Sequence, residues 1–159
     1  MARMPIEERF WSKVNKSEGC WNWLGKPMST GYGKFETCTN YVAKHYLAHR
    51  YIFTIMGIEI PEGKFVDHIC HNKMCVKPDH LRFVTNKENH EHLLGPYSTT
   101  TSGVRGVSWN TERQKWRAQV YHHGKCHFLG LFGSVEDAAN AAHLKRLELF
   151  THNDIDRVA

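Results

Sequence analysis

Soft metal ligands recur at a regular interval in one short segment of the chain. Cys70, Cys75 and His80 follow one another at intervals of five residues. Thiolate and imidazole are the usual donors of tetrahedral zinc, and structural zinc sites use four donors with no open position. The fourth donor must come from another segment, and Cys20 is our first choice, with Cys38 as the alternative. The spacing therefore predicts a structural zinc site.

Residues beside these ligands suit a second, harder cation. Asp67 and His68 come just before the first cysteine, and Asn89 lies at the end of a predicted helix further on. Carboxylate and amide oxygens suit Mg²⁺ or Mn²⁺, which keep several waters and take a substrate phosphate as a further ligand. A neutral histidine beside such a cation can deprotonate the water that attacks phosphorus. The pattern predicts this chemistry for His68, although an ordinary structural or surface histidine is the simpler alternative.

The cysteine count indicates metal binding rather than a disulfide framework. The chain has 5 cysteines and 12 histidines, and its first residues contain no apolar leader segment. Disulfide frameworks are typical of secreted proteins with an even number of cysteines. No apolar run approaches the ~20 residues that a membrane-spanning helix needs. We therefore expect a protein of the cytoplasm, in which clustered cysteine and histidine bind metal.

Positive charge is concentrated in the C-terminal part of the chain. Overall, 21 Lys and Arg exceed 16 Asp and Glu, which gives a formal net charge of +5. Between residues 102 and 132 one acidic residue, Glu112, accompanies five basic residues: Arg105, Arg113, Lys115, Arg117 and Lys125. A local excess of this kind is typical of DNA or RNA binding. A solvated basic face would give the same pattern.

The elements that must position these residues fall into two parts. Turn-forming and small polar residues at 95–103 separate a first domain, 1–95, from a second, 103–159, through a linker at 96–102. In the first domain the apolar spacing predicts a helix over 5–14, a strand over 32–37 and a helix over 42–56.

The second domain has a simpler pattern. Strands are predicted at 103–109, 116–122 and 125–131, followed by a helix from about 135 to 150 that Ser134 caps. Arg117, Gln119 and Tyr121 share one side of the middle strand, and the apolar residues share the other. The fold class is therefore α+β, with a three-stranded antiparallel sheet covered by one helix on a single face. We expect the free face to bind nucleic acid.

Several residues of the first domain resemble a known family. Val66–His68, Cys70, Cys75, Pro78, His80–Leu81 and Asn89 are similar to the HNH endonucleases of the ββα-metal superfamily, and the Cys/His spacing is nearest to the His-Cys-box homing endonucleases. Segments 19–23, 31–33 and 48–50 resemble the upstream part of phage-encoded HNH proteins, so the likeness covers about residues 5–92.

The resemblance implies roles for individual residues. His68 would be the general base, and Asp67 and Asn89 would hold the catalytic cation. His80 would serve zinc, and Arg50 would stabilise the cleaved phosphate. The implied partner is double-stranded DNA, of which a monomer would cut one strand and a homodimer could cut both.

Residues 103–150 resemble the plant ethylene-response-factor DNA-binding domain of the APETALA type. The likeness lies in Arg105–Val107, Lys115–Ala118, Phe128–Phe132 and Ala138–Ala139. It implies a three-stranded sheet that enters the major groove. Ser108, Asn110 and Tyr121 stand where the plant domains carry arginine, so the plant target sequence cannot be transferred.

The candidate DNA contacts of this domain are Arg105, Lys115, Arg117 and Gln119. Arginine pairs with guanine and glutamine with adenine. Lys115 and Arg117 are assigned to phosphates, because most protein–DNA hydrogen bonds go to the backbone.

Two other functions fit the same residues. A zinc-containing DNA-binding regulator would keep the metal site and the basic face but would not cleave DNA in the presence of Mg²⁺ or Mn²⁺. An RNA-directed enzyme is the third alternative, and it would be distinguished by comparing cleavage of matched DNA and RNA duplexes.

Overall fold

The computed structural model describes residues 4–39, 41–93, 95 and 100–153. By its internal packing the chain divides into two compact units, Met1–Thr85 and Asn86–Ala159. Both units combine short helices with small antiparallel sheets, as the predicted fold class requires. Residues 96–99 of the predicted linker lie outside the described residues, and the predicted domain limits stay a prediction. Within the described part of the chain, no helix is long and apolar enough to cross a membrane.

The first unit consists of three antiparallel strand pairs and two helices around an aromatic core. Its elements are α1 (Ile6–Trp11), β1 (Val14–Asn15), β2 (Asn22–Trp23), β3 (Lys34–Thr39), β4 (Val42–Leu47), α2 (Ala48–Ile55), β5 (Phe65–His68), a 3-10 turn (Pro78–His80) and β6 (Leu81–Val84). Strands pair as β1–β2, β3–β4 and β5–β6. The ring of Phe10 lies 5.0 Å from that of Trp23 and 5.2 Å from that of Phe35. Val76, from the loop between β5 and β6, joins this core and ties the loop to it.

The predicted helix over 42–56 is wrong in its first half. Residues Val42–Leu47 form β4, which pairs with β3 from Lys34↔Leu47 to Thr39↔Val42, and the helix begins only at Ala48. The apolar spacing of this segment fits a helix, but the hairpin with β3 satisfies its backbone hydrogen bonds, and valine and tyrosine favour strands. The predicted helix over 5–14 is likewise shorter, because Val14 pairs with Trp23.

The second unit contains a three-stranded sheet with a helix on one face. Its elements are α3 (Asn86–Glu91), β7 (Val107–Asn110), β8 (Lys115–His122), β9 (Lys125–Phe132) and α4 (Val135–Leu149), with strand order β7-β8-β9. The three predicted strands and the C-terminal helix are confirmed, although the first strand starts at Val107. The Ser134 hydroxyl caps α4 by accepting from the Asp137 backbone N–H at 3.1 Å. Ala118 and Val120 of β8 pack with Ala138 and Ala142 of α4 in the core.

Candidate functional site

Four soft ligands converge at the loop between β5 and β6. The ligand atoms of Cys20, Cys70, Cys75 and His80 all lie within 4.8 Å of one another. His80 Nδ1 is 3.5 Å from Cys20 Sγ and 3.6 Å from Cys75 Sγ. Zinc bonds of ~2.3 Å to sulfur and ~2.0 Å to nitrogen place the two ligand atoms of a tetrahedral site about 3.5 Å apart. The cluster therefore has the donor set and spacing of a structural zinc site. Cys38, the alternative fourth ligand, lies on β3 outside this group.

Backbone pairing brings Cys20 to the other three ligands. The Val76 N–H donates to the Trp21 carbonyl at 2.8 Å, and the Trp23 N–H donates to the Met74 carbonyl at 2.8 Å. The Lys77 ammonium also donates to the carbonyl oxygens of Glu18 and Gly19. The segment that carries Cys20 is thus fixed beside the segment that carries Cys75.

Burial raises the pKa of two thiols in the cluster. It raises the pKa of Cys70 to about 12 and also raises the pKa of Cys75. Without a cation these thiols stay protonated, and a bound metal would displace their protons.

His68 ends β5 and is held by a single backbone group. Its Nε2 lies 2.9 Å from the carbonyl oxygen of Cys75, and only 5% of the residue is exposed. Because a carbonyl can only accept, Nε2 carries the proton and Nδ1 keeps a lone pair. Burial lowers the pKa of His68, which favours the neutral ring. A neutral imidazole of this tautomer is suited to act as a general base through Nδ1.

Two aromatic rings flank His68. The ring of His49, on α2, lies 4.6 Å from the His68 ring, and the Tyr32 ring stacks on it at 5.8 Å. Burial lowers the pKa of His49 to about 3, and its Nδ1 is buried with no hydrogen-bond partner among the described residues. Sequence reasoning assigned neither residue a role. The only signal was their position in two segments, 31–33 and 48–50, that carry the family resemblance.

The other three predicted catalytic residues lie in three different surroundings. Asp67 Oδ2 accepts a hydrogen bond from Arg82 Nε at 2.9 Å, in a pair that is largely buried and directly opposite in the β5–β6 register. Arg50 lines an open cavity of about 380 Å³ with Tyr46 and Tyr51. Asn89 lies on α3, which belongs to the second unit. The assignment of Asp67, Asn89 and Arg50 to one reaction centre stays a prediction.

The open face of the second unit carries most of the predicted DNA contacts. Lys115 is exposed at the start of β8, and Arg117 Nε donates to Ser108 Oγ at 3.3 Å. Gln119 pairs with Phe128 in the register between β8 and β9. Tyr121 and Phe128 are 63% and 61% exposed, so aromatic surface lies among the polar residues.

Arg105, unlike the other predicted DNA contacts, has its guanidinium bound to backbone carbonyls of the same unit. Its Nη2 donates to the His90 carbonyl at 2.6 Å, and its Nη1 donates to the Glu91 carbonyl at 3.0 Å. The guanidinium also lies over the Phe150 ring, 5.3 Å from its centroid. These contacts occupy Arg105 inside the unit and favour a structural role over base recognition.

A family model and several known proteins match parts of this chain. Residues 46–91 match the HNH endonuclease family model. Protein 3.8 of Escherichia phage T7 is 43% identical over 68 residues, which is 43% of this chain and 55% of that protein. Protein 2.8 of the same phage is 34% identical over 125 residues, or 74% of this chain and 85% of that protein.

A viral protein matches more of the chain. The uncharacterized HNH endonuclease L560 of Acanthamoeba polyphaga mimivirus is 30% identical over 141 residues, or 88% of this chain and 66% of that protein. No solved structure matches the chain. The family match includes His68, all the cluster residues except Cys20, and Asn89, and it ends before the three-stranded sheet.

Proposed function

Because residues 46–91 match the HNH endonuclease family model and the chain is similar to a viral HNH endonuclease, we propose that it is a metal-dependent DNA endonuclease that hydrolyses phosphodiester bonds. The observation that carries this proposal is the His68 ring. Burial lowers the pKa of His68 and so favours the neutral ring, the Cys75 carbonyl holds one tautomer, and the residue lies in the matched segment with three residues of the Cys/His cluster.

His68 would act as the general base of the reaction. Its Nδ1 would take the proton of the attacking water, while the Nε2 hydrogen bond to Cys75 would keep the ring oriented. Asp67 and Asn89 offer oxygen ligands for Mg²⁺ or Mn²⁺, which when bound would stabilise the charge on the phosphate and the leaving oxygen. Asp67 would bind the cation while its carboxylate also accepts a hydrogen bond from Arg82. Arg50 would stabilise the cleaved phosphate.

The Cys/His cluster would bind a structural zinc ion. Its four donors would fill a tetrahedral site and leave no position for substrate. Zinc would therefore shape the loop between β5 and β6 and would not take part in hydrolysis.

The second unit would select the DNA site. Its three strands and one helix follow in the order expected from the APETALA-type resemblance, and its open face presents Lys115, Arg117 and Gln119. We propose that a homing-type endonuclease of this design acts on double-stranded DNA in the cytoplasm of a host cell. A monomer would nick the DNA, and a homodimer could cut both strands.

A plasmid-nicking assay with Mg²⁺ tests the proposal. His68→Ala is expected to lower the nicking rate about 10²- to 10⁴-fold, the usual contribution of a general base. His143→Ala is the matched control, because His143 lies on α4 of the second unit and is none of the proposed catalytic, metal or DNA-binding residues. Equal rates for His68→Ala and the parent would refute the assignment.

A non-catalytic, zinc-containing DNA-binding regulator is the second candidate. The 5% exposure of His68 and the pairing of Asp67 with Arg82 favour it, because both restrict access to the reaction centre. Such a protein would contain zinc and bind DNA without nicking it at any concentration of Mg²⁺ or Mn²⁺.

A further inference from the structure

The helix that carries Asn89 is too short to be stable alone. α3 spans six residues, Asn86–Glu91. Isolated helices below ~12–15 residues are marginal in water, because the first turn is costly to form. The conformation of α3 therefore depends on contacts with other elements.

Arg105 provides one set of these contacts, at the C-terminal end of α3. The last carbonyl groups of a helix have no partner within it, and a cation there is favourable. Arg105 donates to two of them, those of His90 and Glu91. Arg105 is itself fixed, because its carbonyl accepts from Arg146 Nη1 at 2.9 Å.

The Glu91 side chain provides a second set of contacts. Glu91 is 3% exposed, and its Oε2 accepts from Thr151 N at 3.0 Å, Thr151 Oγ1 at 3.2 Å and His152 N at 3.3 Å. Its Oε1 lies 2.9 Å from the Lys87 ammonium, one turn earlier on α3. A buried carboxylate with these partners ties α3 to the segment that follows α4.

We propose that Arg105 and Glu91 are positioning residues for the catalytic cation, because they hold α3 so that Asn89 can bind it. This inference rests on the proposed function, in which Asn89 is a ligand. Asn89 directly precedes His90, whose carbonyl Arg105 caps, so loosening the last turn would displace it.

The test compares two arginines of the second unit in the full-length, zinc-loaded protein. Arg105→Ala is expected to weaken Mn²⁺ binding, followed by electron paramagnetic resonance, about 10- to 100-fold, the usual effect of losing a group that orients a metal ligand. It should raise the Mg²⁺ concentration for half-maximal nicking and leave DNA affinity in Ca²⁺ unchanged. Arg117→Ala, the control, should weaken DNA binding and leave Mn²⁺ binding unchanged.

Two conservative variants keep the test decisive if Arg105→Ala does not fold. Arg105→Lys retains a cation at the helix end but replaces the planar guanidinium, which donates through two separate nitrogens, with a single ammonium group. Glu91→Gln retains the shape but not the charge. Either should weaken Mn²⁺ binding while the protein keeps a cooperative melt above the assay temperature in the absence of Mn²⁺. Parental Mn²⁺ affinity in all folded variants would overturn the inference. A parent protein that neither binds Mn²⁺ nor nicks DNA would instead refute the proposed function.

Discussion

Cys75 contacts both His68 and the metal-ligand cluster, the first through its backbone carbonyl and the second through its thiol. Its carbonyl oxygen lies 2.9 Å from His68 Nε2, while its thiol lies 3.6 Å from His80 Nδ1. A metal bound at the thiol would therefore fix the backbone group that orients His68, the proposed base. In the proposed function, loss of metal from the cluster should affect the reaction through His68, although the cluster metal would not contact substrate.

Removing one ligand of the cluster should unfold the first unit. Cys75→Ser should lose bound zinc and the cooperative melt of this unit, because structural zinc contributes on the order of 10 kcal/mol to folding. Cys38→Ser is the control, since Cys38 lies on β3 outside the cluster. Zinc content and thermal melts give the readout. Parental zinc content in Cys75→Ser would contradict the proposed zinc site.

His49 should make the protein less stable in mild acid. Burial lowers its pKa from 6.5 to about 3 in the folded chain. Between these values the unfolded chain binds a proton that the folded chain does not, so stability is full above about pH 6.5 and falls as the pH decreases, by up to a few kcal/mol. In His49→Gln, urea unfolding at pH 5.5, 6.0 and 7.0 should vary less with pH than in the parent. An identical pH dependence would show that His49 is not the source.

The Asp67–Arg82 pair should separate stability from metal binding. Arg82→Met should lower the free energy of unfolding by about 3 kcal/mol, because it removes the salt bridge between Arg82 and a largely buried carboxylate. Asp67→Asn should lower nicking and raise the required Mg²⁺ concentration if Asp67 is a ligand. A change in urea stability with an unchanged Mg²⁺ requirement would limit Asp67 to a structural ion pair.

The open sheet face should account for the salt dependence of DNA binding. Lys115→Ala and Arg117→Ala should each weaken binding to all sequences and reduce the slope of log affinity against log salt by about 1. Arg113→Ala, in the turn between β7 and β8, removes the same charge outside the strands. An equal effect of all three variants would show that net charge, rather than this face, determines the affinity.

The sequence predicted the features that depend on short-range spacing. The ligand interval in the loop between β5 and β6 identified three cluster residues, and alternation along β8 identified the second sheet. Contacts between distant segments were harder to predict. The hairpin that makes Val42–Leu47 a strand requires β3, and the ring of Tyr32 meets His68 only in the folded unit. Arg105 was predicted to contact DNA because it lies among other basic residues. Its actual partners are backbone carbonyls of α3, which no sequence pattern identifies.

The contacts of α3 restrict where this chain can be divided to build chimeric proteins. The run of small polar residues at 96–102 has the composition of a convenient joint for exchanging modules. A graft made there would separate Glu91 from Thr151 and His152, and would deprive the last turn of α3 of the Arg105 guanidinium. Transplanting the HNH region into another protein would therefore require the C-terminal sheet to travel with it.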